Sequence, residues 1–206
     1  MHRYLALGDS YTIGEGVDPT DAWPQRLAEL LEPMQFHSQP DVVACTGWTT
    51  DELLAMLDAA VLSPPYRLVS LLIGVNDQYR GREVAEHLPH FNRLLNQAVG
   101  YADGNTDGVL VVSIPDWSVS EFGAADQRGR AAIAADIDAF NAAQRELCEL
   151  RGIAYADITP LSRAVAGEPG MFVGDGLHPS RAQYARWLDV ITPVARHCLE
   201  PISKPI

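Results

Sequence analysis

The amino-terminal part of the chain contains the stretch YLALGDSYTIGEG, residues 4–16. It begins with an apolar run that is typical of a short β-strand buried on both sides in a parallel sheet. We predict that this strand covers residues 3–7, and Ser10 follows it in a polar loop that contains glycine. Open α/β sheets bind ligands at the carboxyl ends of their strands, so the serine stands where a reactive side chain can meet a substrate.

The rest of the chain alternates between strand-like and helical segments. Further strands are predicted at residues 41–45, 67–73, 109–114 and 153–157, and helices at residues 19–32, 83–101, 127–151 and 180–199 and after Thr49 or Thr50. Residues 115–126 and the stretch up to Pro179 are predicted as irregular loops. The strands are too far apart in sequence for hairpins, which indicates a parallel sheet between helices. Without a repeat or a linker, residues 1–206 are predicted to form a single domain.

The composition restricts the class of protein. The 206 residues include 27 acidic and 15 basic side chains, giving a net charge of −12, with 47% hydrophobic and 20% charged residues. These values are typical of a globular protein, and the lack of a basic surface excludes nucleic acid as a partner.

The sequence shows no signal peptide and no apolar segment of the ~20 residues that span a bilayer, so we predict a cytoplasmic protein without a transmembrane segment. Its oligomeric state is not indicated.

Three cysteines are scattered through the chain, at Cys45, Cys148 and Cys198, without the spacing of a metal site or a disulfide framework. We expect them to pack as small buried apolar side chains.

A second informative segment lies near the end of the chain, where Asp175-Gly-Leu-His178 precedes Pro179. An Asp and a His three residues apart in a loop can bring the carboxylate against imidazole Nδ1. Nε2 would then be free to remove a proton from a hydroxyl group, as in serine triads. Taken by itself, the segment is equally typical of a turn and a helix cap.

Donors for a developing oxyanion are also present. Gly47 follows the second predicted strand and could offer its backbone N–H, because a residue without a side chain allows close approach of a substrate. Asn76 follows the third strand and could offer its side-chain amide, and the N–H of Ser10 is a natural third donor. In isolation, Gly47 and Asn76 are also ordinary turn residues. Their joint occurrence at one predicted edge of the sheet favours a catalytic site.

Four short blocks of sequence, in this order, resemble those of the SGNH hydrolases, also called the GDSL family of esterases and lipases. The blocks are Gly8-Asp9-Ser10-Tyr11, Gly47, Gly74-Val75-Asn76-Asp77 and Asp175-Gly176-Leu177-His178-Pro179. The resemblance extends from residue 4 to about residue 190. It implies a three-layer α/β/α sandwich of flavodoxin-like topology, with a central parallel sheet of about five strands.

The resemblance also implies a role for each residue. Ser10 is expected to be the nucleophile, His178 the general acid and base, and Asp175 the residue that orients His178. The Ser10 and Gly47 amides with the Asn76 side chain are expected to form the oxyanion hole. No metal or cofactor is expected.

Three aromatic residues, Trp48, Trp117 and Phe122, are candidates for the walls of a substrate pocket. Each also has a structural alternative. Trp48 could anchor the helix that follows it, and Trp117 and Phe122 could pack their loop onto the body of the protein.

Other polar residues near these blocks have simpler interpretations. His87 and His90 are three apart on a predicted helix, but no third metal ligand stands near them, so a solvated helix face is expected. Asp9 and Asp77 are interpreted as loop residues that accept hydrogen bonds.

Taken together, the sequence predicts a carboxylic ester hydrolase that cleaves esters of small to medium acyl groups, or acetyl esters, through an acyl-enzyme on Ser10. The partner is then a small-molecule ester, whose acyl and alcohol parts the sequence does not specify. One alternative is an acyltransferase that uses the same acyl-enzyme. Another is a flavodoxin-like module that binds a mononucleotide without covalent chemistry.

Overall fold

The computed structural model describes residues 1–200 and contains one five-stranded parallel sheet. The strands are β1 (Tyr4–Gly8), β2 (Asp41–Ala44), β3 (Leu68–Leu72), β4 (Val109–Val112) and β5 (Ala154–Ala156). Their order across the sheet is β2-β1-β3-β4-β5. This is the strand order of flavodoxin-like proteins, so the predicted fold class is confirmed.

Helices cover both faces of the sheet. They are α1 (Ser10–Ile13), α2 (Trp23–Leu31), α3 (Thr50–Ala59), α4 (Val75–Tyr79), α5 (Val84–Tyr101), α6 (Glu121–Ala125), α7 (Arg130–Arg151), α8 (Thr159–Ala164) and α9 (Arg181–Leu199). Short 3₁₀ helices cover Pro19–Asp21, Glu32–Met34, Thr106–Gly108 and Trp117–Val119. Apolar side chains of α2 and α9 pack on one face of the sheet and those of α3 and α5 on the other, whereas α7 contributes to both.

The strands are apolar throughout because both of their faces are covered. In β1, Tyr4 and Ala6 join the hydrophobic cluster beneath α2 and α9, whereas Leu5 and Leu7 join the cluster beneath α3 and α5. Successive side chains of a strand point to opposite faces, so a central strand needs apolar residues at every position. This explains why the sequence shows an unbroken apolar run here and not an alternating pattern.

The structure differs from the sequence predictions mainly in short elements. The segment 115–126, predicted as a loop, contains the 3₁₀ helix Trp117–Val119 and helix α6, and the irregular stretch after β5 contains α8. These helices have three to six residues, too few to show a helical period in the sequence. Side-chain caps mark two of them instead, because Asp116 accepts a hydrogen bond from the Ser118 N–H and the Ser120 hydroxyl accepts one from the Gly123 N–H, each at 2.9 Å.

Two smaller expectations were wrong. Helix α2 begins at Trp23, and the residues before it form a separate 3₁₀ turn that is capped by Asp18, whose side chain accepts a hydrogen bond from the Thr20 N–H. Cys148 and Cys198 are buried as expected, but Cys45 is exposed because it lies beyond the end of β2. Within residues 1–200, no helix is both long enough and apolar enough to cross a membrane.

We predict that the substitution Leu71→Ala destabilises the fold by about 2–5 kcal/mol, because Leu71 is completely buried in the middle of β3. Urea denaturation of the variant measures the change in the free energy of unfolding. Leu150→Ala is the matched control, since Leu150 is 79% exposed on α7, and it should change the stability by no more than about 0.5 kcal/mol. Equal losses in the two variants would contradict the assignment of Leu71 to the core.

Candidate active site

A cavity of about 200 Å³ opens at the carboxyl ends of the strands. Its lining includes Ser10, which follows β1, Gly47, which follows β2, Asn76, which follows β3, and His178, which precedes α9. Strand order reverses between β1 and β3, and ligands of doubly wound sheets bind at such a switch point. The structure therefore brings together four predicted site residues that are widely separated in the sequence.

Ser10 is the first residue of α1 and is 5% exposed. The turn from β1 into α1 is tight, since a Cβ atom on Gly8 would lie 2.1 Å from Thr12 Oγ1 and 2.4 Å from the Leu72 carbonyl oxygen. Only glycine fits at this position. Asp9 accepts a hydrogen bond from the Tyr11 N–H at 3.0 Å and caps the helix. These contacts fix the backbone that carries Ser10 at the edge of the cavity.

The loop before α9 holds His178 in a defined orientation. His178 Nδ1 lies 2.6 Å from Asp175 Oδ2, and the other carboxylate oxygen accepts the N–H groups of Leu177 at 2.8 Å and His178 at 3.0 Å. Partial burial raises the pKa of Asp175, but the hydrogen bonds from the His178 ring and from these backbone groups outweigh it and hold the pKa below its usual value. The ionised carboxylate thus acts as an acceptor for the imidazole.

Gly47 and Asn76 both line the cavity, and Trp48 connects the segments that carry them. Gly47 has φ of +85° and follows β2 in a turn that the Trp48 N–H closes on the Cys45 carbonyl oxygen at 3.3 Å. Asn76 Nδ2 donates to the Trp48 carbonyl oxygen at 2.9 Å. A side-chain amide carries two N–H groups, so one remains for another acceptor.

Asp77 links the segment after β3 to the start of α3. It accepts hydrogen bonds from the Thr50 N–H at 2.9 Å and the Thr50 hydroxyl at 2.8 Å. Arg82 Nη1 lies 3.0 Å from Asp77 Oδ1 and forms an ion pair with it. Burial raises the pKa of Asp77, but the neighbouring His87 ring and the Thr50 donors outweigh it and hold the pKa below its usual value. Asp77 and Asp9 both accept hydrogen bonds, as the sequence analysis expected, but Asp77 lies in α4 and not in a loop.

Aromatic side chains form one wall of the cavity. Tyr79, Trp117 and Phe122 pack against one another with ring centroids 5.6–6.1 Å apart. Trp117 is 3% exposed, and its Nε1 donates to Gln78 Oε1 at 3.0 Å. The Arg128 guanidinium stacks over Trp117 at 5.1 Å and over Tyr79 at 5.3 Å. Trp117 and Phe122 therefore line the cavity, which was one of the two interpretations of the sequence analysis. Trp117 also packs its segment onto the body of the protein, which was the other.

The third aromatic candidate, Trp48, is placed differently. Within the part of the chain that the structure describes, it is not among the residues that line the cavity. Its partly buried side chain packs against the hydrophobic cluster beneath α3 and α5. Trp48 directly precedes the cap of α3, and an apolar side chain there is stabilised more by the core than by the open cavity.

The expectation of a solvated face for the two helix histidines was wrong for His87. His87 is completely buried, with its ring between Phe91 and Phe140 at centroid distances of 5.5 and 4.9 Å. Its Nε2 lies 3.0 Å from the Gln144 side chain. His87 lies one helical turn before Phe91, on the buried face of α5. Among residues 1–200, no three His, Cys, Asp or Glu side chains are grouped to hold a metal ion.

One residue near the cavity was missed by the sequence analysis. Arg80 directly follows α4 and donates from Nη2 to the Gly47 carbonyl oxygen at 2.7 Å and from Nη1 to Glu52 Oε1 at 3.1 Å. The available signal was its position four residues after Asn76, which places the two side chains on the same side of a helical turn.

The chain is similar to known esterases in sequence and in fold. The model of the GDSL-like lipase/acylhydrolase family matches residues 6–186. The esterase TesA of Pseudomonas aeruginosa is 25% identical over 195 residues, which cover 95% of this chain and 88% of TesA. The structure of the psychrotrophic esterase EstA from a Pseudoalteromonas species, inhibited by monoethylphosphonate, has a TM-score of 0.69 and 17% identity, and covers 95% of this chain and 97% of EstA.

A variant of the acetyl-xylooligosaccharide esterase Axe2 from Geobacillus is similar to the same extent, with a TM-score of 0.68 and 17% identity over 100% of this chain and 97% of Axe2. The fold and the family match define a carboxylic ester hydrolase. The chain belongs to the GDSL-like lipase/acylhydrolase family. Membership of this family favours an enzyme over the mononucleotide-binding alternative.

A buried carboxyl group beside Ser10 should make stability depend on pH. Burial raises the pKa of Asp9 to about 8; the hydrogen bond from the Tyr11 N–H opposes this shift, and the charge of Asp77 adds to it. Between pH 3.8, the ordinary pKa of an aspartic acid side chain, and about pH 8, Asp9 is protonated in the folded protein and ionised in the unfolded chain. The folded state then binds more protons, so stability falls as the pH rises through this window, with a slope of up to about 1.4 kcal/mol per pH unit.

We therefore predict that Asp9→Asn reduces this loss of stability. The free energy of unfolding, measured in urea at intervals between pH 5 and pH 8, should fall less steeply in the variant than in the unaltered protein. Asp58→Asn, an exposed change on α3, is the control and should leave the slope unchanged. Parallel curves for the Asp9 variant and the unaltered protein would contradict the prediction.

Proposed function

We propose that the protein hydrolyses esters of short acyl groups through an acyl-enzyme formed on Ser10. The observation that supports this most strongly is the 2.6 Å contact between Asp175 and His178 Nδ1 beside the same cavity as Ser10. With Nδ1 engaged by the carboxylate, Nε2 is the nitrogen that accepts a proton. A carboxylate, an imidazole and a serine at one cavity are the three groups that nucleophilic acyl transfer requires.

In the first half of the reaction, Ser10 Oγ attacks the carbonyl carbon of the ester while His178 Nε2 takes the hydroxyl proton. The tetrahedral intermediate collapses when the bond to the alcohol oxygen breaks, and His178 returns its proton to the departing alcohol. Asp175 stabilises the imidazolium that exists between these two proton transfers. The ester thus becomes an acyl group on Ser10 and a free alcohol.

Negative charge develops on the carbonyl oxygen in the intermediate. The backbone N–H groups of Ser10 and Gly47 and the second N–H of the Asn76 amide are the donors that stabilise it. Asn76 is held for this role by its bond to the Trp48 carbonyl oxygen. Such prearranged donors act most strongly on the transition state, and the loss of one typically lowers kcat about 10²–10³-fold.

In the second half, water replaces the alcohol. His178 removes a proton from the water, which attacks the acyl carbon, and the same donors stabilise the second intermediate. Collapse of this intermediate releases the carboxylic acid and returns the proton to Ser10. The cycle uses only groups of the chain and water.

The size of the cavity favours a short acyl group. Its volume of about 200 Å³ is smaller than the roughly 300–1,000 Å³ typical of pockets for drug-sized ligands. Its wall of Tyr79, Trp117 and Phe122 is apolar and suits a hydrocarbon chain or an acetyl group. A small-molecule ester of a short fatty acid or an acetyl ester fits this space best.

We predict that Ser10→Ala lowers turnover of p-nitrophenyl acetate and butyrate by about 10³-fold or more, because the acyl-enzyme no longer has an oxygen on which to form. Mass spectrometry after treatment with a serine-directed phosphonate should show one adduct, on Ser10, in the unaltered protein and none in the variant. Ser63→Ala, at an exposed serine, is the control and should keep both properties. Full turnover by the Ser10 variant would show that the nucleophile lies elsewhere.

We also predict that Phe122→Ala shifts the preference towards longer acyl chains. Phe122 is 41% exposed at the outer part of the aromatic wall, so its removal extends the cavity without opening the core. The ratio of kcat/KM for the octanoate ester to that for the acetate ester should rise about tenfold, the effect of one or two additional methylene groups in contact. Val61→Ala, at a fully exposed position away from the cavity, should leave this ratio unchanged. An unchanged ratio in the Phe122 variant would place the acyl chain elsewhere.

A further inference from the structure

Gly47 is the least constrained of the three oxyanion donors. Ser10 lies in α1 and Asn76 in α4, but Gly47 belongs to a turn whose preceding residues, Cys45 and Thr46, are exposed. Nothing lies within 4 Å of the place where a Cβ atom on Gly47 would stand. Glycine has the greatest backbone freedom of any residue, and no side chain packs this one in place. Besides the hydrogen bonds that Trp48 makes with the Cys45 carbonyl oxygen and the Asn76 amide, the orientation of its N–H therefore depends on contacts from outside the turn.

Arg80 provides a restraint directly on Gly47. Its Nη2 donates to the Gly47 carbonyl oxygen at 2.7 Å, and its Nη1 donates to Glu52 Oε1 at 3.1 Å. The guanidinium is planar and rigid, so a second bond to Glu52 fixes the direction of the first. The backbone of Arg80 is fixed as well, because its N–H donates to the Asn76 carbonyl oxygen at 3.0 Å.

We propose that Arg80 is a positioning residue for the oxyanion hole, which holds the Gly47 backbone N–H in register with the Asn76 amide. This inference rests on the function proposed above. Arg80 lies one helical turn beyond Asn76 and donates a hydrogen bond to the Gly47 carbonyl oxygen. The segment from Asn76 to Arg80 therefore connects the two proposed donors, the Asn76 amide and the Gly47 N–H. A donor that is already in place acts on the transition state without reorganisation, whereas a mobile one must first be ordered.

Positioning and simple stabilisation of the fold predict different kinetics. If Arg80 orients a donor that acts mainly in the transition state, its loss lowers kcat and leaves KM nearly unchanged. If Arg80 touches the substrate, its loss raises KM. If it only stabilises α3 through Glu52, its loss changes the free energy of unfolding and leaves the kinetics of the folded enzyme intact.

The test compares Arg80→Met and Arg80→Lys with the unaltered protein, with p-nitrophenyl butyrate as substrate. We expect kcat to fall about tenfold in Arg80→Met, with KM within about twofold, and to recover in part in Arg80→Lys, which keeps a donor for Gly47 but not the fork. The rate of inactivation by a serine-directed phosphonate, whose adduct also carries charge on the oxyanion donors, should fall in parallel. Urea denaturation establishes that each variant is folded.

Arg151→Met is the matched control, because Arg151 also donates to a backbone carbonyl, that of Asn92 at 3.3 Å, but on α7. It should leave kcat, KM and the inactivation rate unchanged. A rise in KM at constant kcat in Arg80→Met, unchanged kinetics, or a fall in kcat that Lys does not reverse would each overturn the positioning role. Absence of ester turnover and of a Ser10 adduct in the unaltered protein would instead overturn the proposed function, and this inference with it.

Discussion

The parallel pairing of β1 with β3 is the constraint on which the site depends. Its register places Gly8 opposite Leu72, so the two strands end side by side and the segments after them start from neighbouring points. Ser10 lies two residues beyond the one strand end and Asn76 four beyond the other. The close approach of the Leu72 carbonyl oxygen to Gly8 leaves no room for a Cβ atom there. A one-residue slip in this pairing would turn each apolar side chain of β1 to the opposite face, so burial of both faces fixes the geometry of the site.

The loop that carries His178 reaches this edge from the far end of the chain, and helix packing determines where it arrives. Tyr184 in α9 donates its hydroxyl to the Tyr11 carbonyl oxygen at 3.1 Å, which ties α9 to α1, the helix that begins with Ser10. The Tyr11 ring packs against His178 at a centroid distance of 5.7 Å. On the other side, the Phe122 N–H donates to the Gly176 carbonyl oxygen at 3.1 Å. The imidazole is thus positioned by contacts with both α1 and the aromatic wall.

The sequence was sufficient to predict the strands, the long helices and the residues that meet at the cavity. Each of these follows from a periodic pattern or from a motif at the end of a strand. It was insufficient where contacts between distant residues decide the outcome. His87 is polar in type, yet it is buried because its position on α5 faces Phe140 on α7. The bond between Arg80 and Gly47 joins residues 33 positions apart; the spacing of Arg80 from Asn76 indicates a shared side of a helical turn but does not predict Gly47 as the partner. For Trp48 the sequence left two interpretations open, and the packing against the cluster beneath α3 and α5 favours the one in which it anchors the following helix.

The charges around the cavity suit chemistry that builds up negative charge, although the chain as a whole carries a net charge of −12. Each carboxyl group next to a proposed catalytic residue is compensated in its own way. Burial raises the pKa of Asp9 beside Ser10 to about 8, so it keeps most of its proton at neutral pH, and Asp77 beside Asn76 is paired with Arg82; Asp175 is compensated when His178 becomes the imidazolium of the proposed cycle. At the buried positions of Asp9 and Asp77, an uncompensated carboxylate would oppose an oxyanion strongly, because the interaction of two charges grows as the dielectric constant falls. For the proposed ester hydrolysis, neutralisation of the carboxyl groups at the cavity therefore matters more than the net charge of the chain. The net charge governs only the electric field outside the cavity.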